Sequence, residues 1–228
     1  MLSLILCCFT LSFPFISCDK DKDNEYNVED YLIKPGEDES STKTELTIAT
    51  FNIRVEGDTE NKAWSVRKEN AKNIIEKYSF DIFGVQEALN NQLNDILTLS
   101  RYTHVGIGRN GGTSGEYSAI IYKKDKFNLL DSGTFWLSEK TDEPNIGWDA
   151  SLPRICTWGK FKDKDSEQVF FYFNTHFDHI GDKAREESAK LILAKMKEMA
   201  GDTPAFCSGD LNLTPDKSPI IMLASSGS

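Results

Sequence analysis

The chain is short of histidine, with only His104, His176 and His179 among its 228 residues. A His-rich zinc centre is therefore undersupplied. Positive charge is also scarce: 26 Lys and Arg face 36 Asp and Glu, for a net charge of −10. That balance excludes the basic stripe of a protein that grips nucleic acid strongly. Of the five cysteines, Cys7, Cys8 and Cys18 fall at the N-terminus, and only Cys156 and Cys207 belong to the body of the chain. Both of these sit in apolar, strand-like runs and read as buried free thiols, not as a disulfide. There is no internal repeat, no low-complexity segment and no apolar run that makes a convincing membrane-spanning helix.

Residues 1–17 carry no charge and are mostly apolar, and Cys18 follows Phe15-Ile-Ser17. An apolar stretch ending at a small residue before cysteine reads as an export signal of the bacterial lipoprotein type, with Cys18 lipidated and the protein in the cell envelope. A plain secretion signal and a buried N-terminal strand are the alternatives; the missing Lys or Arg before the apolar stretch is a departure from the pattern. Residues 18–44 carry nine acids and four bases with no periodicity, and read as an acidic disordered tether. Residues 45–228 are long enough for one domain with an ample core.

Within the domain, Leu46–Ile53, Asp81–Val85, Tyr102–Gly108, Tyr117–Tyr122, Ser132–Leu137, Ile155–Phe161 and Gln168–Asn174 read as strands. Helical spacing marks Trp64–Tyr78, the stretch from Leu89 to Leu97, and Lys183–Ala200. Ile155–Phe161 and Gln168–Asn174 form a hairpin across a charged turn. The alternation implies a layered α/β domain. Pro204–Cys207 is a further apolar run.

Chemistry collects where these runs end. Val169–Phe173 leads into His176 and Asp178, and Pro204–Cys207 leads into Asp210 and Asn212. Asn52 closes the first strand, and Gln86-Glu87 closes the second. Open α/β sheets place their sites at such C-terminal strand ends. A carboxylate directly after a buried strand is costly unless solvated or neutralised, and a hard cation such as Mg²⁺ suits Glu87. Taken singly, each residue has a plainer reading. Glu87 suits a helix N-terminus, Asn52 a turn, Asp210 and Asn212 an Asx turn, and His176 a satisfied polar group.

Taken together, Ala49-Thr-Phe-Asn-Ile53, Gly84-Val-Gln-Glu87, Asn174-Thr-His176 and Ser208-Gly-Asp-Leu-Asn212 resemble the endonuclease/exonuclease/phosphatase superfamily, with deoxyribonuclease-like nucleases, sphingomyelinases and inositol-polyphosphate phosphatases among its members. Gly115–Tyr122 and Trp148–Arg154 resemble its bacterial exported branch. The resemblance implies a four-layered α/β sandwich, two packed β-sheets flanked by helices, and a metal-dependent phosphoester hydrolase, phosphodiesterase or phosphatase, using Mg²⁺ (with Mn²⁺ as the alternative) and an activated water. It implies that Glu87 holds the metal with Asn52 beside the metal or the phosphate, that Asp210 orients or deprotonates the water, and that Asn212 and His176 bond phosphate oxygens. Arg154 contacts phosphate as a fork donor, with a purely structural ion pair as its alternative. Asp178 supports another site residue or faces substrate, Trp148 stacks on a base or sugar or covers the core, Glu116 flanks the metal or is a surface acid, and Arg67 and Trp64 are packing residues. The substrate is a phosphorylated small molecule, a phospholipid or a nucleic acid. The protein is a monomer that meets a membrane only through lipid on Cys18.

One departure stands out. The family's closing Asp-His pair should follow Asn212, and no histidine does. The sequence therefore reads as a C-terminally truncated form lacking the last strands, with a bare sheet edge, uncovered core, poor stability and little activity. A non-catalytic surface lipoprotein of the same fold that binds phosphorylated ligands is the competing reading.

Overall fold

A computed structural model describes residues 3–7, 46–57 and 63–225. Cys18 and the segment 18–44 lie outside the described residues, as does all of the stretch 1–17 read as an export signal except 3–7. The elements run β1 (Ser3–Cys7), β2 (Ile48–Asn52), α1 (Trp64–Lys77), β3 (Ile82–Gln86), α2 (Asn90–Ile96), β4 (Tyr102–Val105), β5 (Ile120–Lys123), β6 (Phe127–Trp136), β7 (Ile155–Asp163), β8 (Val169–His176), α3 (Asp182–Ala200), β9 (Ala205–Asp210) and α4 (Ser218–Ser225). No described helix is long and apolar enough to cross a membrane.

Two βαβ units organise the molecule, one per sheet. β2 and β3 pair in parallel through α1, in a sheet of order β2-β3-β5-β4. β8 and β9 pair in parallel through α3, in a sheet of order β1-β9-β8-β7-β6. Each crossover helix presents an apolar stripe to its sheet. On α1 the stripe is Trp64, Ala71 and Ile75; on α3 it is Ala184, Ala189, Ile192, Met196 and Ala200. These spacings follow the helical repeat. Asp182 in the first turn of α3 and Lys197 in its last both suit the helix dipole, and Gly201, at φ 54°, ends it.

The core forms three layers, giving the α/β/β/α sandwich implied by the motifs. Trp64, Ile75, Phe83, Val85, Leu93 and Ile96 fill the space between the first sheet and α1 and α2. Phe171, Phe173, Phe177, Ile192, Met196 and Cys207 fill that between the second sheet and α3 and α4. Ile82, Ile120, Tyr122, Phe127, Phe161, Phe170 and Tyr172 lie between the sheets. Cys156 and Cys207 are buried and in no disulfide among the described residues, as their apolar surroundings imply.

Towards the C-terminal ends of the parallel strands, this middle layer turns polar. Gln86 Nε2 donates to Thr50 Oγ1 (3.0 Å) and Asn174 Oδ1 (2.7 Å). Asn174 Nδ2 donates to the carbonyls of Val85 and Ala119 (2.9 Å each), and Ser208 Oγ to Asn174 Oδ1 (3.2 Å). Except for Gln86 Oε1, which is buried without a partner among the described residues, these groups satisfy one another, and they tie the sheets together directly beneath the strand ends.

Two expectations change. The outer edge of β9 is not bare: β1 pairs with it antiparallel, with Ser3 opposite Asp210 and Cys7 opposite Phe206. The edge strand β2 is only half-buried along its length, whereas its neighbour β3 is buried throughout. β6 begins at Phe127, earlier than its apolar pattern suggests. Its first half carries exposed polar residues and a bulge between Leu129 and Asp131, which breaks the period-two signal.

Candidate active site

Parallel pairing places strand ends side by side. In one sheet Asn52 lies opposite Gln86, just before Glu87; in the other His176 lies opposite Asp210. Face-to-face packing of the sheets joins the two pairs. Asn52 Nδ2 donates to Glu87 Oε1 and to Asp210 Oδ2, each at 2.9 Å, so one amide bridges a carboxylate from each sheet. The Val55 backbone N–H donates to Glu87 Oε2 (3.0 Å), and that of Asn212 to Asp210 Oδ1 (3.1 Å). His176 Nε2 is 4.0 Å from Asp210 Oδ2. One ligand atom from each of Glu87, His176 and Asp210 lies within 4.8 Å of the others.

Backbone geometry sharpens the site. Glu87 (φ 60°) and Asn212 (φ 50°) both occupy the left-handed region, which costs a residue with a Cβ roughly 1–2 kcal/mol. Strain of this kind persists where surrounding structure over-determines it, and it clusters at functional sites. Here the Asn52 and Val55 donors fix Glu87. Asn212 is fixed by Nδ2, which donates to the Phe177 carbonyl (2.9 Å).

Beside the carboxylates a cleft is lined by Arg109, Glu116, Tyr117, Ser118, Pro153, Arg154, Ile155 and His176. Arg154 is 5% exposed. Its Nε donates to Asp178 Oδ1 (3.2 Å), and one Nη lies 3.0 Å from His179 Nδ1. Asp178 also accepts from Ser151 Oγ (2.9 Å) and from the backbone N–H groups of Ile180 (3.0 Å) and Gly181 (2.9 Å). Although burial opposes its ionisation, these donors hold its carboxyl well below the usual range. Burial pushes the His176 imidazole well below its ordinary value, and the Arg154 and Arg109 guanidiniums push the same way. His176 is therefore neutral at neutral pH. Burial raises Glu116 as well, with Arg109 opposing and Glu87 reinforcing the shift.

The structure thus brings together Asn52, Glu87, His176, Asp210 and Asn212, with Arg154 on the adjoining wall. Asn52, assigned to the metal on sequence, sits between the two carboxylates with its Oδ1 accepting from the Arg54 N–H (2.9 Å). Asn212, assigned as a phosphate donor, spends one amide hydrogen on Phe177 and leaves its Oδ1 buried without a partner. Asp178, read as facing substrate or as supporting another site residue, is 1% exposed and stands behind Arg154, so it acts through that guanidinium. Trp148 does not line the cleft; it is half-buried at φ 49°, with its backbone N–H on Glu139 (3.1 Å).

Three residues take roles here that sequence reasoning does not give them: Arg67 reads there as packing, Glu116 as a metal-flanking or surface acid, and Arg109 is not singled out. Arg67 on α1 donates to the carbonyls of Ile53, Arg54 (3.2 Å) and Val55 (3.4 Å). It therefore shapes the turn that carries Val55 to Glu87. Arg109 and Glu116 form an ion pair of 2.9 Å on a tight loop, which the Tyr117 N–H joins to the carbonyl of Ala88 (2.7 Å). The only sequence signal for that loop is its glycines, of which Gly111, Gly112 and Gly115 take positive φ.

A model of the Endonuclease/Exonuclease/phosphatase family matches residues 49–227. Among solved structures, a mannosyl-6-phosphatase of Bacteroides thetaiotaomicron is 42% identical, with a TM-score of 0.77 over 79% of this chain and 70% of that one. An endonuclease/exonuclease/phosphatase of Bacteroides vulgatus is 44% identical, with the same TM-score and shares. Among sequence relatives, uncharacterized protein L388 of Acanthamoeba polyphaga mimivirus is 29% identical over 165 residues, 68% of this chain and 60% of that protein. The chain spans 60% or less of the length of each sequence relative it matches.

Proposed function

The chain belongs to the endonuclease/exonuclease/phosphatase family, and on that premise we propose that it hydrolyses phosphoesters with a divalent cation and an activated water. The observation that carries this reading is the convergence of Asn52, Glu87, His176 and Asp210 from four strand ends in two sheets. Arg109 and Arg154 are each paired with a carboxylate, Glu116 and Asp178. Among the described residues, Glu87 and Asp210 accept hydrogen bonds from an amide and from backbone N–H groups, all neutral donors. Two uncompensated carboxylates beside an orphaned amide oxygen on Asn212 form an oxygen-rich set that suits Mg²⁺. Glu87 and Asp210 would hold the ion, with Asn52 keeping them in place.

When bound, the cation polarises a phosphoryl oxygen and neutralises charge. The chain's own groups do the rest. Asp210 orients a water and takes its proton as the water oxygen bonds to phosphorus and the ester P–O bond breaks. Neutral His176 and the remaining amide hydrogen of Asn212 hold non-bridging oxygens as charge redistributes. Arg154, with one edge fixed by Asp178, offers the other to phosphate. The likeness to a mannosyl-6-phosphatase supports a sugar phosphate as the natural ester.

The test is hydrolysis of mannose 6-phosphate, p-nitrophenyl phosphate and bis-p-nitrophenyl phosphate with Mg²⁺, Mn²⁺ or EDTA. The expected result is cation-dependent turnover that falls by at least 100-fold in Asp210→Ala. Turnover that survives EDTA or that substitution would overturn the assignment. Phosphate binding without any turnover would transfer the fold to the ligand-binding reading.

A further inference from the structure

Arg109 and Glu116 have no part in the hydrolytic step described above, yet both line the cleft. The Arg109 side chain is 14% exposed. Among the described residues its guanidinium has one partner, Glu116, reached through Nη1 at 2.9 Å. None of its other nitrogens is a buried orphan, so they open to the cleft that the residue lines. The backbone is fixed on both sides: Trp136 Nε1 donates to the Arg109 carbonyl (2.8 Å), and the Arg109 N–H donates to the Glu116 carbonyl (3.0 Å). A side chain on Gly115, which sits at φ +80°, would crowd Asn110 and the Arg109 Cγ.

Arg154 repeats the arrangement. Asp178 holds its Nε, His179 meets one Nη, and none of its nitrogens is a buried orphan. The two guanidiniums are near enough for each to disfavour charge on His176. Two like charges turned toward one poorly solvated space repel unless an anion joins them. Each is pre-ordered by its own carboxylate, which lowers the entropy lost on binding.

We propose that Arg109, positioned by Glu116, joins Arg154 to form a two-arginine clamp for the terminal phosphate of a phosphomonoester, so that the enzyme prefers monoesters to diesters. A monoester offers three non-bridging oxygens and up to two negative charges; a diester offers two and one. The carboxylate side of the site, with its cation, His176 and Asn212, occupies the oxygens a diester has. A second guanidinium finds its acceptor only in the third. Glu116 and Asp178 stay paired with their arginines and keep them from collapsing onto Glu87 and Asp210.

This inference rests on the hydrolase reading, and one experiment separates the two. Wild type, Arg109→Gln, Arg109→Lys and Glu116→Gln are compared on p-nitrophenyl phosphate and bis-p-nitrophenyl phosphate with Mg²⁺, and their binding of inorganic phosphate is measured by calorimetry. In Arg109→Gln, the ratio of monoester to diester kcat/KM should fall at least tenfold, mainly through the monoester KM, and phosphate affinity should fall by a similar factor. Arg109→Lys should restore part of the phosphate affinity but little of the ratio, because a point charge lacks the fork. Glu116→Gln should weaken phosphate binding less than Arg109→Gln. Equal loss on both esters, or an unchanged ratio, in variants that melt like wild type would overturn the clamp. Should wild type turn over neither ester, the hydrolase reading fails, whereas loss of phosphate binding in Arg109→Gln would still uphold the subsite.

Discussion

At the scale of single residues, the site depends on side chains that are absent as much as on those present. Gly84 lies on β3, facing β8 and β9 of the other sheet. A Cβ there would overlap Asn174 Oδ1 and come within 2.7 Å of Ser208 Oγ. Gly84→Ala should therefore cost about 1–3 kcal/mol by overpacking and should pull Asn174 away from Gln86. Urea denaturation read by fluorescence would show it as a lower midpoint with an unchanged slope; a midpoint equal to wild type would mean the seam can yield. Sequence alone exposes Asn52, Glu87, His176 and Asp210, because each breaks an apolar run at a strand end. It does not expose the partnerships. The Gln86–Asn174 bond spans 88 positions, and nothing in the local pattern of either residue announces the other. Arg109 looks like any loop cation until its loop is folded back on Ala88.

Among elements, α1 does more than cover its sheet. Its Arg67 reaches three successive carbonyls of the turn after β2 and stacks over Trp64 at 5.5 Å. Those contacts orient the Val55 N–H, which in turn fixes Glu87. Arg67→Ala should destabilise the fold by about 2 kcal/mol, the range for hydrogen bonds to a charged group. It should also lower kcat/KM tenfold or more although it touches no substrate, and Arg67→Lys should recover stability better than turnover. A variant that loses stability but keeps full activity would reduce Arg67 to packing. Elements with uniform apolar runs, such as β3 and β8, are legible because burial on both faces leaves one composition. The first half of β6 is not, since one side of it faces solvent and a bulge shifts its register.

For the whole molecule, most shifted ionisable groups favour the fold near neutral pH, with Glu116, raised by burial, acting against them. Asp178 and Asp81 are held below their ordinary value. Asp178 is held by the donors described above. Burial opposes ionisation of Asp81, but hydrogen bonds from Lys126, the Thr47 N–H and Lys123 outweigh it. Stability from these carboxylates is present above pH 3.8 and lost as pH falls through their folded values. Burial lowers His176 and His104 from 6.5. The unfolded chain therefore takes up those protons first, and stability declines as pH drops below 6.5. Tyr102, buried and pushed up to about 12, stays neutral in the fold while the unfolded chain ionises near 10. The urea midpoint should be highest between about pH 7 and 9, fall at pH 5.5, fall further at pH 3.5, and fall again above pH 10. Equal midpoints at pH 7.5 and 5.5 would contradict the histidine part of this account.

Asn52 and Glu87 come from one sheet, and His176 and Asp210 from the other. A cation gripped by Glu87 and Asp210 would thus act as a rivet through the middle of the sandwich. A chelator would then be a mechanical agent as well as an inhibitor, loosening the two slabs at their catalytic end, where the Asn52 amide joins carboxylates of both. Holding power and product release would be set by the same few atoms, so a variant selected to survive proteases could be expected to turn over more slowly.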